Sequence, residues 1–558
     1  MPTVTSTSEV GPAGLAALRL PRAGLVAEHA NGDDTFRLDV GPVHRWERSL
    51  HVVDVPGSRC RVTENVSYRL AIPLWWPLFV VPIRVLLRRE HKALAAATTI
   101  DPAATHAPIT QPFWAPADRF DARASTVLAL VCALSLVTGY VGTAITQTVT
   151  YAASEFHRDT GAQGVTLAVV RIGALLALVL AAASDRRGRR RVLVVSLYAA
   201  CLTAALGAAS PNLLGLGVTQ LVAQGFASAA TLLIAVLVAE EVPAGSRAWS
   251  VSILAMSTAL GAGMCIWVLP VADVGVKGWR IIYLVPLLGI PLVAWGSRHL
   301  PESKRYLAHQ AAAGTSILAV ASPVSVGSPM AAGAPHITAA AQEHGADPPP
   351  ARDGSFATLA ARAHRRRFIL LAIGAFGLAL FIAPMFQLQN DFLRHERGYS
   401  AARISLYTLV TSTPGGLGIL LGGWLADARG RRPVAAFGIV AGSLLAVATL
   451  FSYGAVLWGL SIFAAVASAS AVPAMAVFGP ELFPTALRGR INGLLQIVAV
   501  VGSSIGLLLA GWLTDVFHRF GSAMALLAVG PALVAVLVVL AYPETSGQSL
   551  EDLNPEDR

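Results

Sequence analysis

Charge is what this chain of 558 residues has least of: Asp, Glu, Lys and Arg make up 13%, against 54% hydrophobic residues and a mean hydropathy of +0.60. Soluble domains rarely have so little charge, so a lipid bilayer is the expected solvent. Cysteine is scarce too. Cys60, Cys132, Cys201 and Cys265 lie far apart, three of them inside apolar runs, which suggests neither a metal cluster nor a disulfide framework. The glycine-rich phosphate loop that ends in Lys and Ser or Thr is missing, which excludes ATP as the direct energy source. No nucleophile with a paired base stands out, and no motif asks for a cofactor, so an enzyme is not expected. The net charge of +10 falls in short arginine bursts without interleaved aromatics, which argues against nucleic acid as a partner. The amino-terminal stretch lacks the basic start, apolar core and cleavage site of a secretory signal.

What is present is a series of long apolar runs. Crossing ~30 Å of hydrocarbon takes roughly 20 residues of helix at ~1.5 Å each. Twelve runs qualify, near 125–149, 164–184, 192–209, 213–238, 248–270, 281–298, 368–388, 403–426, 433–452, 457–478, 490–514 and 522–541. The loops between them alternate in basic content. Arg186, Arg187, Arg189, Arg190 and Arg191 follow the second run, Arg429, Arg431 and Arg432 the eighth, and Arg365, Arg366 and Arg367 precede the seventh. Loops 210–212 and 453–456 carry no Lys or Arg. Because basic loops stay inside, this pattern predicts a multi-pass inner (plasma) membrane protein with both termini and the 299–367 connection in the cytoplasm.

A duplication organises the runs. Asp185, Gly188 and Arg189 in A-A-A-S-D-R-R-G-R-R-R recur as Asp427, Gly430 and Arg431 in G-W-L-A-D-A-R-G-R-R-P, offset by 242. Glu240, Pro243 and Arg247 recur as Glu481, Pro484 and Arg488, offset by 241, and P-E-S-K-R-Y-L at Pro301 returns as P-E-T-S-G-Q-S-L at Pro543, offset by 242. Three pairs in register predict an all-α membrane protein of twelve helices in two pseudo-symmetric six-helix bundles of the same orientation. The expected division is a cytoplasmic extension (1–120), a first half (121–300), a linker (301–367), a second half (368–542) and a tail (543–558).

The D-R-x-G-R-R type loop and its repeat, together with P-E-S-x-R-x-L, E-L-F-P-T-x-x-R-G (481–489) and the terminal P-E-T, resemble the signatures of the major facilitator superfamily and of its sugar-porter-like, metabolite:proton symporter branch. The resemblance spans roughly residues 120–548 and implies alternating access by rocking halves. It also implies that the loop charges form a cytoplasmic gate, intact when the cavity opens outward and broken when it opens inward. The expected gate set is Asp185, Gly188, Arg189, Glu240, Arg247, Glu302, Asp427, Gly430, Arg431, Glu481, Arg488 and Glu544. Glycine permits the tight turns, and the arginine forks suit bidentate pairing with the glutamates.

Substrate contacts are expected from polar residues inside the runs. Arg171 lies inside the second, where an unpaired charge costs up to ~3 kcal/mol. An anionic solute, pairing with Asp391 or snorkelling to the surface would each account for it. Gln220 and Gln224 share a face of the fourth run, and as many such glutamines are interhelical links as ligand contacts. Tyr140, Gln387, Gln389 and Asn390 are further candidates. The chain departs from the sugar porters in having Leu221 where the family has an arginine before a glycine (Gly225), no acid in its first run, and F-Q-L-Q-N-D (386–391) in its seventh. Proton coupling therefore rests on the resemblance.

Within the extension, Thr35 to Leu70 alternates in short stretches that suggest a few strands. Residues 70–87 are apolar, with Trp75 and Trp76 flanked by Arg69, Arg84, Arg88 and Arg89. They fit an element lying in the cytoplasmic interface, with a thirteenth span as the alternative. The Ala, Gly, Pro and Ser bias of 308–363 reads as a disordered insertion. The expected function is secondary active transport of a small polar solute (a sugar, organic acid or similar metabolite), coupled to protons, by a monomer in the bilayer. An exporter of amphiphilic compounds or a transport-deficient sensor on the same fold is the alternative.

Overall fold

The structure is a computed structural model that describes residues 2–303 and 362–544, apart from 57–58, 98–105, 108–115, 117, 244–245 and 484. The side chains of Asp185, Asp427, Glu481 and Arg488 lie outside the described set, as does nearly all of 308–363. Among the described residues, twelve helical spans are long and apolar enough to cross a membrane. In order they are Ala122–Glu155, Thr160–Ser184, Arg189–Ala209, Leu213–Glu241, Trp249–Val274 and Trp279–His299, then His364–Glu396, Ala401–Ala426, Arg431–Leu450, Gly454–Ala476, Ile491–Phe517 and Phe520–Ala541. We call them spans 1 to 12. The arginine-rich loops mark one end of the bundle, here the basic end, and the loops poor in Lys and Arg mark the far end.

Spans 2 and 8 are each broken near the middle, a feature that apolar length alone did not signal. Span 2 consists of helices Thr160–Gly173 and Leu176–Arg187, and span 8 of Ala401–Ser412 and Gly415–Arg429. Pro414 interrupts the amide ladder of span 8. In span 2 the backbone packs too closely on span 4 for any side chain at Gly173, where an added Cβ would collide with the Leu221 carbonyl oxygen. The two breaks lie within one helical turn of equivalent places in the duplication. Discontinuous helices near the midplane are where many secondary carriers form their solute sites.

Among the described residues the extension forms five strands in the order β1-β5-β4-β3-β2, with every neighbouring pair antiparallel. They are β1 Thr3–Val10, β2 Ala27–Ala30, β3 Thr35–Val40, β4 Val43–Val55 and β5 Arg59–Leu70, with helix α1 (Pro12–Arg19) and helix α2 (Trp76–Ala95) packed against them. The alternation from Thr35 onwards reports β3 to β5. Strand β1, rich in Ser and Thr, escapes notice because its pairing partner is β5, the last strand of the sheet in the sequence. Under the sheet lies a buried charge cluster. Arg48 and Glu28, both fully buried, pair at 2.7 Å, Arg22 pairs with Glu64 at 2.6 Å, and His91 on α2 meets Glu64 at 2.5 Å. Burial opposes ionisation of Glu64, but the His91 hydrogen bond and the Arg22 and Arg48 charges outweigh it and hold its carboxyl below the usual value. Burial pushes the neighbouring Glu90 carboxyl up.

Candidate functional site: an arginine inside span 2 below a far-end closure

At the far end the two halves are joined by a set of polar contacts. Span 2 begins there, with Asp159 capping its first turn by accepting from Ala162 N at 2.8 Å. Asp391, near the end of span 7 and 5% exposed, takes hydrogen bonds from Thr160 Oγ1 at 2.8 Å and Gln163 Nε2 at 2.7 Å, and pairs with His395 at 2.8 Å. Asp515 of span 11 accepts from the Gly161 amide at 2.9 Å. Two carboxylates of one half thus sit on the amino-terminal turn of a helix of the other, where backbone N–H groups and the helix dipole favour negative charge. Asn390 Nδ2 donates to the Gln147 side chain at 2.9 Å, and Ser405 Oγ to the Ile266 carbonyl at 2.7 Å. Glycines let spans 2 and 11 touch: a Cβ at Gly164 would lie 2.5 Å from the Leu507 carbonyl oxygen.

Arg171 stands 11 residues into span 2, about 17 Å from its far end and close to the midplane of a ~30 Å core. With the amide oxygen of Gln387 turned toward the guanidinium, the orientation that gives both groups partners, Nε and Nη2 of Arg171 each donate to it at 2.8 Å. Gln387 belongs to the other half, so this contact also crosses between halves. Pairing with Asp391 is not what the structure has: that carboxylate lies one turn beyond Gln387 and is taken by Thr160, Gln163 and His395. Snorkelling is not what it has either, because the side chain is half-buried against Gln387. Among the described residues no carboxylate pairs with Arg171.

The other candidates separate by role. Gln220 is 1% exposed and donates to the Ala204 carbonyl at 3.3 Å, and Tyr140 donates to the Ile282 carbonyl at 2.9 Å; both tie helices of the first half together. Gln224 and Gln389 are half-buried. Asn390 belongs to the far-end closure.

At the basic end the duplicated motifs form two equivalent knots, each inside one half. Gly188 and Gly430 have φ of +94° and +99°, which favours glycine where one helix ends and the next begins. The carboxylate of Glu302 accepts from the Arg189 and Arg190 amides at 3.1 and 3.0 Å. Glu544 does the same for Arg431 and Arg432 at 2.9 and 3.1 Å. The carboxylates of Glu302 and Glu544 thus cap helix N-termini. The Arg189 side chain pairs with Glu240, and Ser303 Oγ donates to Glu240 at 2.6 Å. Arg247, also in the expected gate set, is exposed. An ion pair that sequence reasoning missed joins Arg123 of span 1 to Glu241 of span 4 at 3.0 Å. Arg123 carries no motif and reads as one more interfacial charge. The far-end contacts bridge the halves, whereas these basic-end pairs stay within one.

Comparison with known proteins agrees with this geometry. The family model described as Major Facilitator Superfamily matches residues 369–557. A gallate transporter of Pseudomonas putida is 26% identical over 375 residues, covering 64% of this chain and 78% of that protein. Among solved structures, an inward-open form of the E. coli xylose transporter superposes with a TM-score of 0.59 at 17% identity, covering 78% of this chain and 99% of that one. The nucleoside transporter NupG gives a TM-score of 0.56 at 13% identity, covering 75% of this chain and all of that one. An inward-facing bacterial homologue of the lysosomal transporter Spinster gives 0.56 at 16%, covering 75% and 95%. Over residues 369–557 the chain thus matches the major facilitator superfamily, and its fold is similar to that of small-solute transporters.

Proposed function

We propose that this protein is a proton-coupled carrier of a small polar solute bearing a carboxylate, and that Arg171 is the group that receives the carboxylate. The observation that carries this reading is a guanidinium near the midplane whose partner is the neutral amide of Gln387, not an acid. A charge there is costly unless it is paired or used, and an anionic solute would replace the amide with a bidentate, charge-assisted contact. The relative described as a gallate transporter supports a carboxylate over a sugar. The absence of the sugar porters' polar pattern in spans 1 and 7 points the same way.

The basic end is taken as cytoplasmic, so the described form, bridged at the far end, is the inward-opening state of an alternating-access cycle. Asp391 is the proposed proton acceptor. Protonation from the far side would remove the charge that holds Thr160 and Gln163, and would loosen the closure. The test is uptake of radiolabelled gallate into proteoliposomes. Arg171→Gln is expected to raise KM by ~10–100-fold, the ~1.5–3 kcal/mol of a hydrogen bond to a charged group, and Arg171→Lys by less. Equal uptake by all three forms would remove Arg171 from the site, and uptake of xylose but not gallate would overturn the carboxylate reading.

A further inference from the structure

Helix α2 has two faces of unlike chemistry. Ile83, Leu87, His91 and Leu94 recur at helical spacing and are buried against the sheet, where Ile83 and Leu87 join Trp46, Val66 and Tyr68. The first turns, ahead of that buried stripe, are apolar and bare on several sides. Leu74, Trp76, Leu78, Phe79, Val81 and Val85 are between 38% and 67% exposed. Arg84, Arg88 and Arg89 follow on the exposed side. So many large apolar side chains over three turns make a patch that a water-facing surface seldom leaves uncovered.

The start of the helix is fixed to the membrane-spanning part. Trp75 Nε1 donates to the Ala129 carbonyl at 2.9 Å, and Thr126 Oγ1 donates to the Ala71 carbonyl at 3.1 Å. Ala129 lies seven residues into span 1, about 10 Å above its beginning at the basic end. The bare apolar turns therefore begin at the level where span 1 enters the hydrocarbon, continuous with a lipid-facing surface.

We propose that residues 74–85 lie in the basic-end leaflet of the bilayer, with Arg84, Arg88 and Arg89 on anionic lipid headgroups, so that the five-stranded domain is a membrane-surface module. The occupant is lipid rather than protein because of the level set by Trp75 and Thr126 and because the order is apolar and tryptophan-rich first, basic next. A helix lying in an interface has that order, and basic residues beside it gain from anionic headgroups. The other face of α2 is bound to the sheet by core packing and the His91 contact. Lipid charge is thereby coupled to the position of the domain beside the start of span 1.

The test uses the full chain in nanodiscs of phosphatidylcholine, with and without phosphatidylglycerol. Cys132, Cys201 and Cys265 are buried, so a Cys60→Ser background carries single labels at Leu78→Cys or, on the sheet, Val53→Cys, which is 62% exposed. An environment-sensitive fluorophore at position 78 is expected to emit blue-shifted light, to be quenched by brominated lipid and to resist iodide. The label at position 53 is expected to stay iodide-accessible. Adding phosphatidylglycerol should lower iodide quenching at 78 several-fold further, and an Arg84→Gln, Arg88→Gln, Arg89→Gln variant should lose that gain. A water-exposed label at 78 in both lipids overturns the proposal. So does protection that arises only when two copies share one disc, which would assign the face to a second copy. The readout involves no solute, so it fails or succeeds independently of the carrier reading.

Discussion

Replacing Asp391 with Asn should release the far-end closure. The carboxylate bridges the halves through Thr160 at 2.8 Å and Gln163 at 2.7 Å. Hydrogen bonds to a charged group contribute ~1.5–3 kcal/mol each, but water replaces them when the far end opens. Asp515 on Gly161 and Asn390 on Gln147 remain, so we expect a net shift of about 1.5–3 kcal/mol toward the opposite state, or ~10–100-fold in the population ratio. Ser504, 9% exposed and donating to the Ala168 carbonyl of the other half at 3.3 Å, reports on that interface. In sealed vesicles on a Cys60→Ser background, Ser504→Cys should react slowly with a membrane-impermeant maleimide supplied at the far side. Adding Asp391→Asn should speed labelling ~10–100-fold, in step with the population ratio. Equal rates would mean that the closure does not depend on the carboxylate.

The turns and the extension give further expected outcomes. Gly188→Ala and Gly430→Ala place a side chain at φ of +94° and +99°, which should cost ~1–2 kcal/mol each and lower the midpoint of thermal unfolding. The exposed Arg187→Ala should leave that midpoint unchanged, and glycine variants as stable as this control would argue against the strained turns. Arg48→Ala strands the fully buried Glu28 and should destabilise the extension by ~3–5 kcal/mol, read as lost amide protection on β4 and β5 with the spans unaffected. The extension should also respond to acid in two opposed steps. Burial raises the Glu90 carboxyl above its ordinary 4.5, so stability is gained as pH falls through that raised value. Glu64 lies below 4.5, so its contribution is present above that value and is lost as pH falls further. Hydrogen exchange of β5 between pH 6 and pH 3 measures both signs, and a monotonic loss of protection would contradict the Glu90 assignment.

The spans and the duplication were legible because they are written locally: about 20 apolar residues per crossing, and motif pairs with constant offsets. Gly188 and Gly430 were legible as turns for the same reason. Whatever depends on distant partners was not. Arg171 stands out as an intramembrane charge, yet nothing along the chain indicates that it meets Gln387 of the other half rather than Asp391. At Glu302 and Glu544 the motif marks the place but not the capping of the helix N-termini, since a carboxylate just after a proline looks the same whether it pairs with a guanidinium or caps a helix. The breaks in spans 2 and 8 were hidden because apolar periodicity continues through them, and only Pro414 left a trace.

If two halves rock as rigid units, far-end closure and basic-end opening are one equilibrium. Spin labels at the exposed Arg187 and Arg429 span the basic end, and labels at the exposed Arg158 and Arg403 span the far end. Distance distributions measured by double electron–electron resonance, with and without Asp391→Asn, separate the possibilities. Rocking halves require the variant to lengthen the far-end distance and shorten the basic-end distance together. A far-end distance that lengthens while the basic-end distance stays fixed would show that the two ends move independently.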